Sequence, residues 1–156
     1  VGSYSDSAKG TTIAATMYAG GADVIYQAAG GSGTGVFSQA KEINEKLPAD
    51  SDKKVWVIGV DRDQTEEGNY TSSDKVKSNF VLTSTIKEVG QVVNDIANRQ
   101  LKGDKFEGNT TKTYGLKDGG VDLVTKNLPD NIKSAVETAK EKVIKGEVKV
   151  DDGVNK

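Results

Sequence analysis

The apolar positions of this chain fall into short clusters whose spacing alternates between two periods. Continuous apolar runs, "ADVIYQA" at 22–28, "VWVIGV" at 55–60 and "NFVLTS" at 79–84, have the length of buried strands. Between and after them the apolar residues recur every three or four positions, as on one side of a helix. Ile13 and Met17 form one such set, and Val36, Phe37, Ala40, Ile43 and Leu47 a second. Ile86, Val89, Val93, Ile96 and Ala97 form a third, and Ile132, Val136, Ala139 and Val143 a fourth.

The flanking residues supply boundaries. Asp6 or Ser5 caps the first helix and Gly20 and Gly21 end it, while the second stops before Pro48. Thr85 and Glu88 have capping-box spacing ahead of the third helix, which Gly103 follows, and Pro129 opens the fourth, with Gly146 beyond it. Residues 61–79 lack a period and read as a long loop. Residues 104–127 read as one or two strands with a glycine turn at "KDGG". Strands with continuous apolar runs that alternate with helices define an α/β fold with a parallel sheet covered on both faces. The expected lobe spans residues 1–148, with a frayed tail at 149–156. The opening "VGSYSDSAKG" reads as the end of a strand, so a segment of a longer protein is expected.

Composition narrows the chemistry. With 156 residues, the chain can bury a core of its own. A formal net charge of −2, with no basic stripe interleaved with aromatics, argues against a nucleic acid polymer as partner. The absence of cysteine removes disulfides, thiolate metal sites and a cysteine nucleophile. Without histidine the commonest general base and transition-metal ligand are missing too, so a serine triad or a zinc site is hard to build. No run approaches the roughly 20 apolar residues of a membrane span.

In an open parallel sheet, ligands bind beyond the carboxyl ends of the strands. Three loops occupy that edge: "AAGGSGTGVF" at 28–37, "DRDQ" at 61–64 and "STIK" at 84–87. The glycine loop lacks the Lys and Ser/Thr of a phosphate loop after Gly35 and has Val36 where a dinucleotide fingerprint wants Gly, so no cofactor is expected. It serves either close helix packing or approach of a ligand to the backbone. Phe37, in the first turn of the following helix, offers a ring to a flat ligand or, through its i+3 and i+7 partners, to the core. Asp61 can accept hydrogen bonds from a ribose diol or cap its own loop. Asp63, Glu66 and Glu67 invite a metal, but a calcium loop needs Asp or Asn where Thr65 stands and Gly where Glu66 stands. Lys87, expected in the first turn of a helix, opposes the macrodipole there, which suits a functional cation or a solvated surface lysine.

Taken in order, "GADVIYQAAGGSGTGVFSQAKE", "VWVIGVDRDQ", "VLTSTIKEVG" and "YGLKDGGV" resemble the basic membrane protein family, bacterial substrate-binding lipoproteins of ABC importers similar to purine nucleoside receptors. The resemblance runs from about Gly2 to Val148 and covers one of the family's two lobes. It implies a type I periplasmic-binding-protein fold, with two hinged α/β lobes and a nucleoside between them. Carried onto this sequence, it implies Gly31 as a backbone contact, Phe37 as a ring stacked on the base, Asp61 as acceptor for the ribose diol and Lys87 as a further polar contact. It also implies partners: the amino-terminal lobe of the same protein, an ABC permease and a lipid anchor at the outer face of the cell membrane. The loops "LPADSDKK" and "EEGNYTSSDKVKSN" are longer than the family's usual form. Two other functions remain open on the residues alone. One is a nucleoside-processing enzyme using Asp61 and Asp63, and the other a ligand-sensing domain of a regulator.

Overall fold

The computed structural model describes residues 1–106 and 108–151, and the chain divides into two compact units, Val1–Ile86 and the part from Lys87 onward. In the first unit the order is α1 (Ser7–Ala19), β1 (Val24–Tyr26), α2 (Thr34–Asn44), β2 (Trp56–Gly59), β3 (Asn69–Thr71), β4 (Lys77–Asn79) and β5 (Val81–Lys87). Its sheet is parallel, as the apolar runs predict. β1 pairs with β2 at Ile25 and Val57, and β2 pairs with β5 at Ile58 and Thr83, with an irregularity between Val57 and Ile58. The second unit holds α3 (Val89–Leu101), β6 (Val121–Leu123) and α4 (Asp130–Ile144).

The core of the first unit gathers Ala14 and Tyr18 from α1, Val36, Phe37 and Ala40 from α2, Ile25 and Val57 from the sheet, and Tyr70, Phe80 and Val81. Two polar side chains tie the helices to the start of β2. Asn44, fully buried at the end of α2, accepts from the Val55 amide at 3.0 Å and donates to the Val55 carbonyl at 2.8 Å, so an otherwise costly buried amide is satisfied on both sides. The Tyr18 hydroxyl donates to the Trp56 carbonyl at 3.0 Å, and burial pushes its pKa upward.

Asp6 caps α1, its carboxylate accepting the Lys9 amide at 2.9 Å. The buried side of that helix is Gly10, Ala14 and Tyr18, however, whereas Ile13 and Met17 are 37% and 44% exposed. Small residues face inward because α2 packs against the helix backbone: a β-carbon at Gly10 would stand 2.1 Å from the Ser32 carbonyl oxygen, and one at Gly35 2.1 Å from that of Ser7.

The expected loop at 61–79 contains more structure than its composition suggests. A 3₁₀ turn, Thr65–Gly68, leads into the antiparallel hairpin of β3 and β4, with Tyr70 opposite Ser78. The Ser72 hydroxyl closes the turn, accepting the Val76 amide and donating to Asp74, which in turn accepts the Ala49 amide. The third helix also starts later than expected. Thr85 and Ile86 continue β5, where β-branched residues fit the pleat, so the capping box does not form and α3 begins at Val89. α4 begins directly after Pro129, as expected, and "KDGG" turns into β6 with Gly119 at φ +66°. Neither α3 nor α4 buries a residue completely. Val89, Val93 and Ile96 on α3 and Ile132 on α4, members of the two apolar sets, are exposed. The expected tail lies outside the described residues from 152 onward.

Two outcomes follow for this unit. Phe80→Ala should cost about 3 to 5 kcal/mol of unfolding free energy in a denaturant titration, and Met17→Ala less than about 0.5 kcal/mol. A cost at Met17 matching that at Phe80 would mean that the helix buries its other side. The Ser72 hydroxyl bond holds the Asp74 carboxyl below the usual carboxylate range. Its contribution to the turn is therefore complete above the ordinary pKa and is lost as pH falls through the lowered one. NMR titration should show Asp74 returning toward the ordinary range in Ser72→Ala.

Candidate functional site

The carboxyl ends of β1 and β2 open onto one edge of the sheet, as parallel pairing requires. After β1 the glycine segment forms a 3₁₀ turn, Gly30–Gly33, with Gly30 at φ +56°, and runs directly into α2. The segment entering α1 lies across this turn. Ser32, fully buried, donates its hydroxyl to the Ser3 carbonyl at 2.7 Å and accepts the Asp6 amide at 2.9 Å, while its own amide donates to the Tyr4 carbonyl at 3.1 Å. A β-carbon at Gly31 would stand 3.0 Å from the Tyr4 carbonyl oxygen, and one at Gly33 1.8 Å from Oε1 of Gln27. The glycines therefore admit the chain's own backbone and side chains. Gly31 itself is exposed.

Two aromatic rings are open at this edge: Tyr4 is 81% exposed and Tyr26, the last residue of β1, 52% exposed, its hydroxyl 3.2 Å from that of Thr85. A shallow cavity of about 360 Å³ lies beside them, lined by Val1, Gly2, Ser3, Tyr4, Ala28 and Ala29. That volume is at the lower end of the range for small-molecule sites.

Past β2, Asp61 is exposed and has φ +70°, a left-handed backbone uncommon for any residue but glycine and tolerated best by Asp and Asn. The Arg62 amide donates to the Val60 carbonyl at 2.9 Å, and the Val60 amide donates to Oε1 of Gln64, also at 2.9 Å. Gln64 Oε1 accepts Gln27 Nε2 as well, at 2.8 Å, and the Gln64 amide donates to the Ser84 hydroxyl on β5 at 3.1 Å. Asp63 turns its carboxylate back onto Thr65, accepting the amide at 3.0 Å and the hydroxyl at 2.5 Å, and Arg62 pairs with Glu67. Among the described residues no group of three acidic side chains is placed to hold a metal ion.

Gly31 and Asp61 thus lie on neighbouring loops joined through Gln27 and Gln64. Phe37 does not present a ring there: it is 6% exposed and packs against Phe80 at 6.2 Å between ring centroids. Its ring belongs to the core cluster of the first unit. Lys87 is the exposed last residue of β5, two positions ahead of α3 rather than in the first turn of a helix. Tyr4, Tyr26, Gln27 and Gln64 were not foreseen. Their signal was present: an aromatic before a helix cap, and a glutamine closing each of two strand-end segments, "YQ" and "DRDQ".

A mixed α/β fold with parallel strands and loops gathered at their carboxyl ends is consistent with a lobe of the periplasmic-binding-protein class, an architecture shared with other α/β folds. The sequence model of the family described as "ABC transporter substrate-binding protein PnrA-like" matches residues 1–153, and the chain belongs to that family. It is 59% identical over 150 residues to the ABC transporter nucleoside-binding protein BmpA of Lactococcus lactis subsp. cremoris, an alignment covering 96% of this chain and 42% of that protein. It is 35% identical over 150 residues to basic membrane protein A of Borreliella afzelii, covering 95% of this chain and 41% of the relative. The chain therefore spans about two fifths of the length of these relatives. Among solved structures, that of an ABC transporter solute-binding protein from Aeropyrum pernix K1 superposes with a TM-score of 0.70 at 23% identity, over 99% of this chain and 47% of that one, a likeness of fold.

Ser32→Ala should lower unfolding free energy by about 1 to 3 kcal/mol, because the Asp6 amide and Ser3 carbonyl lose their buried partner. Hydrogen exchange at residues 3–6 should accelerate in the same variant. Unchanged exchange there would show that Ser32 does not anchor Tyr4.

Proposed function

We propose that this chain is one lobe of a substrate-binding protein that captures a nucleoside, of the purine class, for import by an ABC transporter. The observation that carries this reading is the exposed Asp61 carboxylate, held in a left-handed backbone next to a glycine turn topped by an open tyrosine ring. A carboxylate accepts both hydroxyls of a ribose diol, and an aromatic face receives a base regardless of its identity. The naming of the Lactococcus relative as nucleoside-binding supports the same class. Asp61 is the diol acceptor and Gly31 a backbone contact, while Tyr4 takes the stacking role first expected of Phe37. Lys87 keeps its assignment as a further polar contact on the resemblance alone.

The other lobe of the same protein supplies the opposite wall, and an ABC permease receives the ligand. A lipid anchor holds the whole at the outer face of the cell membrane. No helix among the described residues is long and apolar enough to cross a membrane. The ligand is released unchanged: Asp63, which the enzyme reading needs, is engaged with Thr65.

Calorimetry on the full-length protein with ribonucleosides and their 2′,3′-dideoxy analogues tests this. Asp61→Ala should weaken ribonucleoside binding by about 1 to 3 kcal/mol, the value of a hydrogen bond to a charged group, and leave dideoxynucleoside binding unchanged. Tyr4→Ala should cost about 1 to 3 kcal/mol with both ligands, whereas Phe37→Ala should chiefly lower the melting temperature. Equal losses at Asp61 for both ligands would remove the diol contact. Release of free base by the wild-type protein would favour the enzyme instead.

A further inference from the structure

The buried Gln64 side chain and backbone reach all three strand-end segments of the first unit. The amide oxygen accepts Val60 N beyond β2 and Gln27 Nε2 beyond β1, and the backbone amide donates to Ser84 on β5. The polarity of this pair is determined. A backbone N–H can only donate, so the atom of Gln64 that meets Val60 must be the oxygen, and the atom of Gln27 that meets the same oxygen must be the amide nitrogen. Gln27 then turns its own oxygen toward the glycine turn. That oxygen fills the space a side chain at Gly33 would need and stands 3.5 Å from the Ala29 amide. Gln64 thus restrains the residue before Asp61 while Gln27 sets the wall of the turn containing Gly31.

We infer that Gln64 and Gln27 are positioning residues, a buried amide pair that sets the Asp61 carboxylate against the glycine turn and so determines the preference for ligands with ribose hydroxyls. The inference rests on the nucleoside reading for its ligand, and on the bonds above for its mechanism. Asp61 needs such support: its left-handed backbone is disfavoured for a residue with a β-carbon, and the Val60 amide beside it would otherwise be free to turn. The pair touches no ligand atom. Its effect passes through the direction in which Asp61 and the turn are held.

Four forms of the full-length protein test this: wild type, Gln64→Leu, Gln64→Glu and Gln27→Leu. Each is titrated with a ribonucleoside and its dideoxy analogue, with melting temperatures measured alongside. In Gln64→Leu the ribo-to-dideoxy affinity ratio should fall by about tenfold or more, as for loss of one hydrogen bond to a charged group. Gln64→Glu keeps an acceptor for Val60 and Gln27, so it should preserve most of the ratio. A purely structural role would weaken both ligands by one factor or lower only the melting temperature, and an unchanged ratio in Gln64→Leu overturns the inference. Should Gln64→Leu fail to fold, Gln27→Leu decides, since it removes the link and leaves the Val60 bond; an unchanged ratio there overturns the inference equally. Hydrogen exchange in the same proteins reads positioning without ligand. Amides at 29–33 and 60–62 should exchange about tenfold faster without the pair, and unaltered rates would also sink it. If the wild type binds no nucleoside, the proposed ligand is wrong, and the exchange rates still decide whether the amide pair holds the two loops.

Discussion

The close approach of α1 and α2 is the constraint on which the first unit depends. Their backbones meet where Gly10 faces the Ser32 carbonyl and Gly35 faces that of Ser7, distances that no β-carbon would permit. Because Ser32 belongs to the glycine turn, this contact does more than close a core. It brings the segment before α1 over the turn, where the Ser32 hydroxyl ties it at both Ser3 and Asp6. One steric condition between two helices thereby decides which aromatic ring stands at the open edge of the sheet. It also gives "AAGGSGTGVF" its composition: Gly33 and Gly35 make room for parts of the same chain, and Gly31 alone of these three is exposed.

Much of the fold was legible because uninterrupted apolar runs mark the strands of a parallel sheet, and three such runs became β1, β2 and β5, although β1 buries only its middle residue, Ile25. What stayed hidden has identifiable causes. The β3 and β4 hairpin buries a single apolar side chain, Tyr70, and is held by Ser72 and Asn79 rather than by an alternating pattern. The inner side of α1 is made of glycine, alanine and tyrosine, which hydrophobic periodicity undervalues beside Ile13 and Met17. Thr85 and Glu88 satisfied the letter of a capping box, but β-branched residues carried the strand through Thr85 to Lys87 and left Glu88 as the residue that precedes α3.

The site divides along similar lines. Asp61 was recognisable as an acid at a strand end and Gly31 as part of a turn, because their positions follow from topology. Phe37 satisfied two patterns at once, first turn of a helix and i+3 spacing to Ala40, and its ring packs against Phe80, which in turn packs against Tyr70. Each glutamine stands at a strand-end segment, but that the two pair with one another could not be read from one sequence. Gln27 and Gln64 are 37 positions apart, and a buried amide shows its importance only when its partners are placed.

The exposure of α1's outer side has a bearing on oxidation. Met17 is the only methionine of the chain, cysteine is absent, and Met17 points outward at 44% exposure. Sulfoxide formation, which turns an apolar thioether into a polar group and disrupts cores that contain one, would alter nothing but the solvent side of a helix here. The core of the first unit and the open edge of its sheet contain no sulfur, so peroxide can modify the one oxidisable sulfur of the chain without touching the Asp61 carboxylate, the glycine turn or the amides between them.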